Sequence, residues 1–284
     1  MAMPETLVMV RHGESEGNIV QRTFKDGNTM DVPEDFMKVH DWQYRLSPKG
    51  VAQAEAANGY LINAYGDPAE YFDEHLVSPY IRPRETAAYV GGMACQWVID
   101  DRLAERDWGI YNMVHPGERE KHFPHTERMR EVSRLRWTPD GGESLTSGVM
   151  LRFRDLLDTL HREQADKRVI AVTHGELMWV ARYVIERMLP EEWEAADADA
   201  AQRLYNASLL MYTRANPEDP TDIAPNMRWR KIVCPWDESL SPFGGEWVEL
   251  PGKRRFSGQQ LLDTVHQVPR IFDQTFYDTI ETRD

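Results

Sequence analysis

Two short apolar runs, far apart in the chain, end in the same way. Leu7-Val8-Met9-Val10 leads without interruption into Arg11-His12-Gly13, after which polar residues follow. Val169-Ile170-Ala171-Val172 leads into Thr173-His174-Gly175-Glu176 and then into a helical pattern. An unbroken apolar run of this length, bounded by a turn signal, predicts a strand buried on both faces, as in a parallel sheet covered by helices. As neighbours about 5 Å apart, the two strands would bring both histidines to one sheet edge. A third run, His75-Leu76-Val77, breaks at Ser78-Pro79 and places Arg82 just beyond it.

Between these strands the spacing turns helical. Ser47-Pro48-Lys49-Gly50 predicts a helix start, with Ser47 as N-cap and Pro48 in the first helical position. A second helix through residues 85–90 ends near Gly91-Gly92, and a strand at 96–99 follows. Leu145, Val149, Phe153, Leu156, Leu157 and Leu160 recur at helical spacing and are predicted as core. A helix over 177–185, an acidic, Ala-rich surface helix over 190–205 and a strand at 209–213 come next. Beyond Arg214 the pattern weakens to Pro/Asp-rich loops, a strand at 227–233 and an amphipathic helix near 259–268. This alternation predicts an α/β fold, a three-layer α/β/α sandwich with a mostly parallel central sheet. The organising unit is residues 1–213, carrying polar insertions at 19–45 and 110–140. Residues 214–284 read as a C-terminal extension packed on the same domain.

Composition narrows the field. The 284 residues are 41% hydrophobic and 28% charged, ordinary values for a globular chain able to bury a core. Thirty-three basic against 47 acidic residues leave a formal charge of −14, which argues against nucleic acid or an anionic membrane surface as a partner. Any anionic substrate then needs a local basic pocket, for which Arg11 and Arg82 are candidates. Cys95 and Cys234 are the only cysteines, too few for a disulfide framework. No apolar run reaches spanning length and no signal pattern opens the chain, so a cytoplasmic location is expected.

One Arg-His pair alone would read as a charged turn leaving a core strand. Two histidines and two arginines at one sheet rim, in the crevice where open α/β sheets hold ligands, suit a phosphoryl group. Other features carry less. His122 and His125 have metal-like spacing but no accompanying signature, and read, with His115, as a solvated face. By spacing alone Glu105 is one carboxylate among Asp100, Asp101 and Asp107. Gly13-Glu14-Ser15-Glu16-Gly17 satisfies the serine-hydrolase pattern, yet that elbow normally follows several strands, and it leaves Arg11, His12 and Arg82 without a role.

Arg11-His12-Gly13-Glu14-Ser15-Glu16-Gly17-Asn18 resembles the signature of the histidine phosphatase superfamily, the phosphoglycerate-mutase-like enzymes. The likeness continues, in the family's order, through Leu46–Gly50, Ser78–Ala87, Leu103–Gly109, Gly142-Glu143-Ser144 and Thr173-His174-Gly175. It covers roughly residues 5–213. The resemblance implies His12 as nucleophile, with a phosphohistidine intermediate. It implies Arg11, Arg82 and His174 on the phosphoryl oxygens, with Asn18 as a neutral donor and Gly13 and Gly175 letting backbone approach the anion. It makes Glu105 the general acid/base, and by register it prefers Arg82 to Arg84. Such a site implies no metal and no cofactor. Where cofactor-dependent mutases typically have Trp-Asn, this chain has Gly17-Asn18, which leans towards a phosphatase of small-molecule phosphomonoesters. Phosphoglycerate-mutase-type transfer and a non-catalytic phospho-ligand binding protein are the alternatives, and a homodimer stays open.

Overall fold

Among the described residues the sheet has seven strands, in the order β3-β2-β4-β1-β5-β6-β7. They are β1 (Thr6–Arg11), β2 (Glu74–Val77), β3 (Val98–Ile99), β4 (Arg168–Thr173), β5 (Leu209–Thr213), β6 (Trp229–Val233) and β7 (Val248–Glu249). The computed structural model describes residues 2–25, 33, 35–114, 118–273 and 275–276. Residues 26–32 and 34 of the first insertion, and 115–117 of the second with His115, lie outside them.

β2, β3, β4 and β1 run parallel, while β5, β6 and β7 add an antiparallel flank. The sheet is thus parallel through its core, and helices cover both faces. Alternation along each strand divides the apolar side chains between two cores. Leu7 and Met9 of β1, with Val169 and Ala171 of β4, join one cluster, while Val8, Val10, Ile170 and Val172 join the other. Burial on both faces is why these strands read as unbroken apolar runs rather than as alternating ones.

The helices are α1 (Glu16–Lys25), α2 (Pro48–Tyr65), α3 (Pro68–Tyr71), α4 (Ile81–Val90), α5 (Arg119–His122) and α6 (Pro124–Val132). α7 (Met150–Glu163), α8 (Gly175–Ile185), α9 (Pro190–Ala198) and α10 (Gly258–His266) follow. α2 begins as expected: Ser47 Oγ accepts from the Gly50 amide at 3.0 Å and Pro48 occupies the first turn. Leu145, Val149, Phe153, Leu156 and Leu160 are buried on the face that α8 also covers, with Leu157 partly buried beside them. Two expectations shift. Residues 16–25 form α1, so the polar insertion at 19–45 opens on a helix that starts before it. α9 is less superficial than its composition suggests, because Trp193 is fully buried and donates its indole N–H to the Trp179 carbonyl at 3.0 Å.

The chain divides into Met1–Leu250 and Pro251–Asp284. In the second unit α10 opens with a reciprocal cap, Ser257 Oγ accepting from the Gln260 amide and Gln260 Oε1 from the Ser257 amide. Leu261, Leu262 and Val265 of this helix are exposed. No helix among the described residues is long and apolar enough to cross a membrane.

Candidate active site

Strand register sets the geometry. Arg11 of β1 pairs with Thr173 of β4, so the next residues, His12 and His174, leave the sheet side by side. Their ring centroids are 5.2 Å apart. Val77 of β2 pairs with Val172 on the other side of β4, which brings Ser78 to the same edge.

His12 is held in one tautomer. Its Nδ1–H donates to the Gly13 carbonyl at 2.7 Å, leaving the Nε2 lone pair to receive Arg82 Nε–H at 3.3 Å. Burial, then the Arg82 and Arg11 charges, push the His12 pKa well below its ordinary value, so the ring is neutral at physiological pH. His174 is fully buried and shifted the same way, first by burial and then by Arg82. Its Nε2 lies 2.8 Å from Ser78 Oγ, and its Nδ1 stands 3.8 Å from Glu105 Oε2 without a hydrogen-bond partner.

Two guanidinium groups flank the imidazoles. Arg11 Nη1 donates to the Leu204 carbonyl, whereas its buried Nε has no partner. Gly175 lets it close in, since a Cβ there would lie 3.3 Å from Arg11 Nε. Arg82 is buried, donating to the Asp41 backbone carbonyl at 2.5 Å and lying 3.9 Å from the Asp41 carboxylate. Arg84 has no part in this wall; Arg82 is the arginine that α4 turns inward.

The burial of Glu105 is the least expected feature of the group. Among its acidic neighbours it looked like an exposed carboxylate, but its side chain is only 12% exposed. Burial, and then the Glu176 carboxylate, raise its pKa to about 7. Glu105 Oε1 accepts from the Arg106 amide at 2.9 Å. Arg106 is itself fully buried between the Trp108 and Trp137 rings, which keeps this loop in place.

Arg11, His12, Asn18, Arg82, Glu105 and Gly175 share the wall of a cavity of about 490 Å³. Phe36, Tyr44, Trp108, Tyr111 and Trp179 give it an aromatic lining as well. A donor-rich, cationic end beside a roomy aromatic one suits a phosphorylated molecule of moderate size. Among the described residues no cluster of His, Cys, Asp or Glu is arranged to hold a metal ion.

Gly13 is not part of that wall. Its amide donates to Thr86 Oγ1 at 3.0 Å, and a Cβ on it would lie 2.3 Å from the Gly50 carbonyl oxygen. Its glycine is required by the backbone contact with α2. Ser15, centre of the competing hydrolase motif, is buried, and its hydroxyl donates to Asn18 Oδ1. His122 and His125 are exposed on the outside of the helices that carry them.

Several contributors escaped the sequence reading. Ser78 had served only to mark register, and nothing marked Asp41, Glu176 or Leu204. Glu176 directly follows His174-Gly175, the single signal that could have drawn notice.

Comparison with known proteins follows the same outline. The sequence profile of the histidine phosphatase superfamily, branch 1, matches residues 7–209. A 2,3-bisphosphoglycerate-dependent phosphoglycerate mutase of Sinorhizobium fredii is 28% identical over 202 residues, covering 67% of this chain and 83% of that protein. Among solved structures, a mycobacterial glucosyl-3-phosphoglycerate phosphatase superposes with a TM-score of 0.56 at 23% identity, over 78% of this chain and 96% of that one. The alpha-ribazole phosphatase of Shigella flexneri gives 0.57 at 18% identity, over 78% and 96%. Members of both kinds, mutases and phosphatases, surround this chain, and with the profile spanning most of its length it belongs to the histidine phosphatase superfamily, branch 1.

Proposed function

We propose that this protein is a phosphatase that hydrolyses a small-molecule phosphomonoester through a phosphohistidine on His12, with Glu105 as general acid and base. The observation that carries this reading is the pairing of a neutral His12, its Nε2 lone pair facing Arg82, with a carboxyl whose pKa is about 7 in the same cavity. In the first step Nε2 attacks phosphorus, the ester P–O bond breaks, and the Glu105 carboxyl gives its proton to the leaving oxygen. In the second, water attacks phosphorus, the Glu105 carboxylate takes its proton, the P–N bond breaks and phosphate leaves. Arg11 and Arg82 bind the equatorial oxygens, whose charge they neutralise in both transition states. With Ser78 donating to His174 Nε2, Nδ1 of His174 carries a proton and donates to the same group. Asn18 adds a neutral donor. The N-terminus of α8 at Gly175 adds its dipole.

Mutase-type transfer is the second reading, favoured by the name of the Sinorhizobium relative. It uses the same phosphohistidine and differs in whether water or a second hydroxyl takes the phosphoryl group. What supports the phosphatase is the space over Gly17: a Cβ there would lie 2.7 Å from the Tyr44 ring, so the bulky residue typical of mutases is replaced by an aromatic from another loop.

The test is phosphate release from a panel of phosphomonoesters in excess EDTA, wild type beside His12→Ala. Acid-labile phosphoenzyme is trapped in parallel. Release and label that both vanish in the variant support the reading. Transfer between phosphoglycerates without net release identifies a mutase, and neither activity, with phosphate still bound, identifies a binding protein.

A further inference from the structure

The Asn18 side-chain amide can be oriented without ambiguity. Its Oδ1 accepts from the Ser15 amide at 3.1 Å, from Ser15 Oγ at 3.1 Å and from Asn206 Nδ2 at 3.0 Å. A backbone N–H can only donate, so the atom facing Ser15 is oxygen and the NH₂ group points away from these three donors. Asn206 is fixed by the same logic. Its Nδ2 also donates to the His12 carbonyl at 3.1 Å, and a carbonyl can only accept.

Asn206 lies far from Asn18 in sequence, in the loop before β5. That loop is itself constrained. Ala207, fully buried, adopts a positive φ of 55° and donates its amide to the same His12 carbonyl at 3.2 Å. A non-glycine residue held there is strained, and the surrounding contacts must hold it. One of them comes from beyond the region that resembles the family: Trp236, just past β6, donates its indole N–H to the Asn206 carbonyl at 2.7 Å.

We propose that Asn206 is a positioning residue of the phosphate site, turning the Asn18 NH₂ towards the bound phosphoryl group and tying it to the His12 backbone, and that Trp236 holds Asn206 in place from the C-terminal extension. This rests on the phosphate-site reading above. It gives residues 229–236 a task in catalysis: they brace a donor that touches substrate without reaching the cavity themselves.

The experiment compares the full chain with Asn206→Asp, Asn18→Ala, the double variant and Trp236→Phe. It reads inhibition by inorganic phosphate, kcat and KM on one ester, and Tm. Asn206→Asp keeps the shape but presents an oxygen where Asn18 Oδ1 and the His12 carbonyl need a donor. Phosphate affinity should fall about tenfold or more, and adding Asn18→Ala should cost little further, because the second change removes a donor already misplaced. Trp236→Phe keeps the ring and removes one N–H, and should weaken phosphate binding several-fold in the same direction. If Asn206→Asp does not fold, Trp236→Phe decides alone. Fully additive effects, or unchanged phosphate affinity in a folded Asn206→Asp or in Trp236→Phe, overturn the proposal while leaving the phosphatase reading intact. A wild type that neither binds phosphate nor turns over overturns both.

Discussion

Glu105 Oε2 stands 3.8 Å from His174 Nδ1, and the imidazole it faces is neutral because burial and Arg82 hold it so. A carboxylate beside an imidazolium would be stabilised in its charged form. Beside a neutral ring, in a buried wall shared with the Glu176 carboxylate, it is not. The same burial that keeps both histidines neutral therefore leaves Glu105 partly protonated near pH 7. A nucleophile with a free Nε2 lone pair and an acid that holds a proton is the division of labour that the proposed chemistry needs.

A pH dependence follows. A general acid works only while protonated, so kcat/KM on an alkyl phosphate should fall as pH rises through about 7, the Glu105 value. His12, shifted well below 6.5, adds no loss in the same range. Glu176 raises the Glu105 pKa, so Glu176→Gln should move the falling limb to lower pH. Comparing the two enzymes on one substrate cancels the substrate's own ionisation. A limb that stays in place would remove Glu176 as the cause.

Leaving groups separate acid catalysis from general damage. Glu105→Gln keeps the size and an acceptor for the Arg106 amide but has no proton to give. Turnover of an alkyl phosphate should fall by about 10²–10⁴-fold. An aryl phosphate whose phenolate leaves unaided should lose far less in its first step. Equal losses on both, measured by single-turnover phosphate release, would count against Glu105 as the acid.

Away from the site, Glu186 is the keystone of a buried charge network. Its carboxylate accepts from Arg182 Nε at 3.0 Å, Arg230 Nη1 at 2.5 Å and the Tyr212 hydroxyl at 3.0 Å, joining the end of α8 to β5 and β6. Both arginines are buried. Glu186→Gln leaves two guanidinium groups in the core without a counter-charge, at a cost of about 3–5 kcal/mol. For a chain of this size Tm should fall by roughly 6–20 °C. Replacing all three charged residues by Met or Leu should recover most of that loss, since the apolar set carries no desolvation penalty.

How much of this was legible follows from where each signal resides. β1 and β4 were readable because both faces of each strand are buried, and the shared His-Gly ending marked one sheet edge. Their adjacency could be read only as a conditional, since pairing is settled by packing at long range. Glu105 was recognised through its Leu-x-Glu-Arg context, while its burial was hidden, because Asp100, Asp101 and Asp107 around it are what exposed sequence looks like. The start of α1 at Glu16 was hidden because Glu16, Gly17 and Asn18 read first as part of the polar site motif. The contacts of Ser78, Asp41 and Asn206 were invisible for another reason: each acts through a single hydrogen bond or two made across a loop, and hydrogen bonds of that kind leave no periodic trace in a sequence.

Gly17 offers a final test of how the cavity is shaped. It sits in the first turn of α1, where a Cβ would meet Tyr44 Cδ2 at 2.7 Å and Cε2 at 3.0 Å. Tyr44 cannot swing aside freely, because it stacks on Phe36 with ring centroids 4.5 Å apart and planes 8° from parallel. Both aromatics line the cavity. Gly17→Ala should therefore displace the pair, raising KM several-fold while kcat changes little, as the reacting groups stay where they are. Tyr44→Ala removes the obstacle, so adding Gly17→Ala to it should have almost no further effect on KM. Steady-state kinetics on the four proteins measures this coupling directly. If Gly17→Ala is as harmful without the Tyr44 ring as with it, the penalty lies in the α1 backbone and not in the aromatic wall.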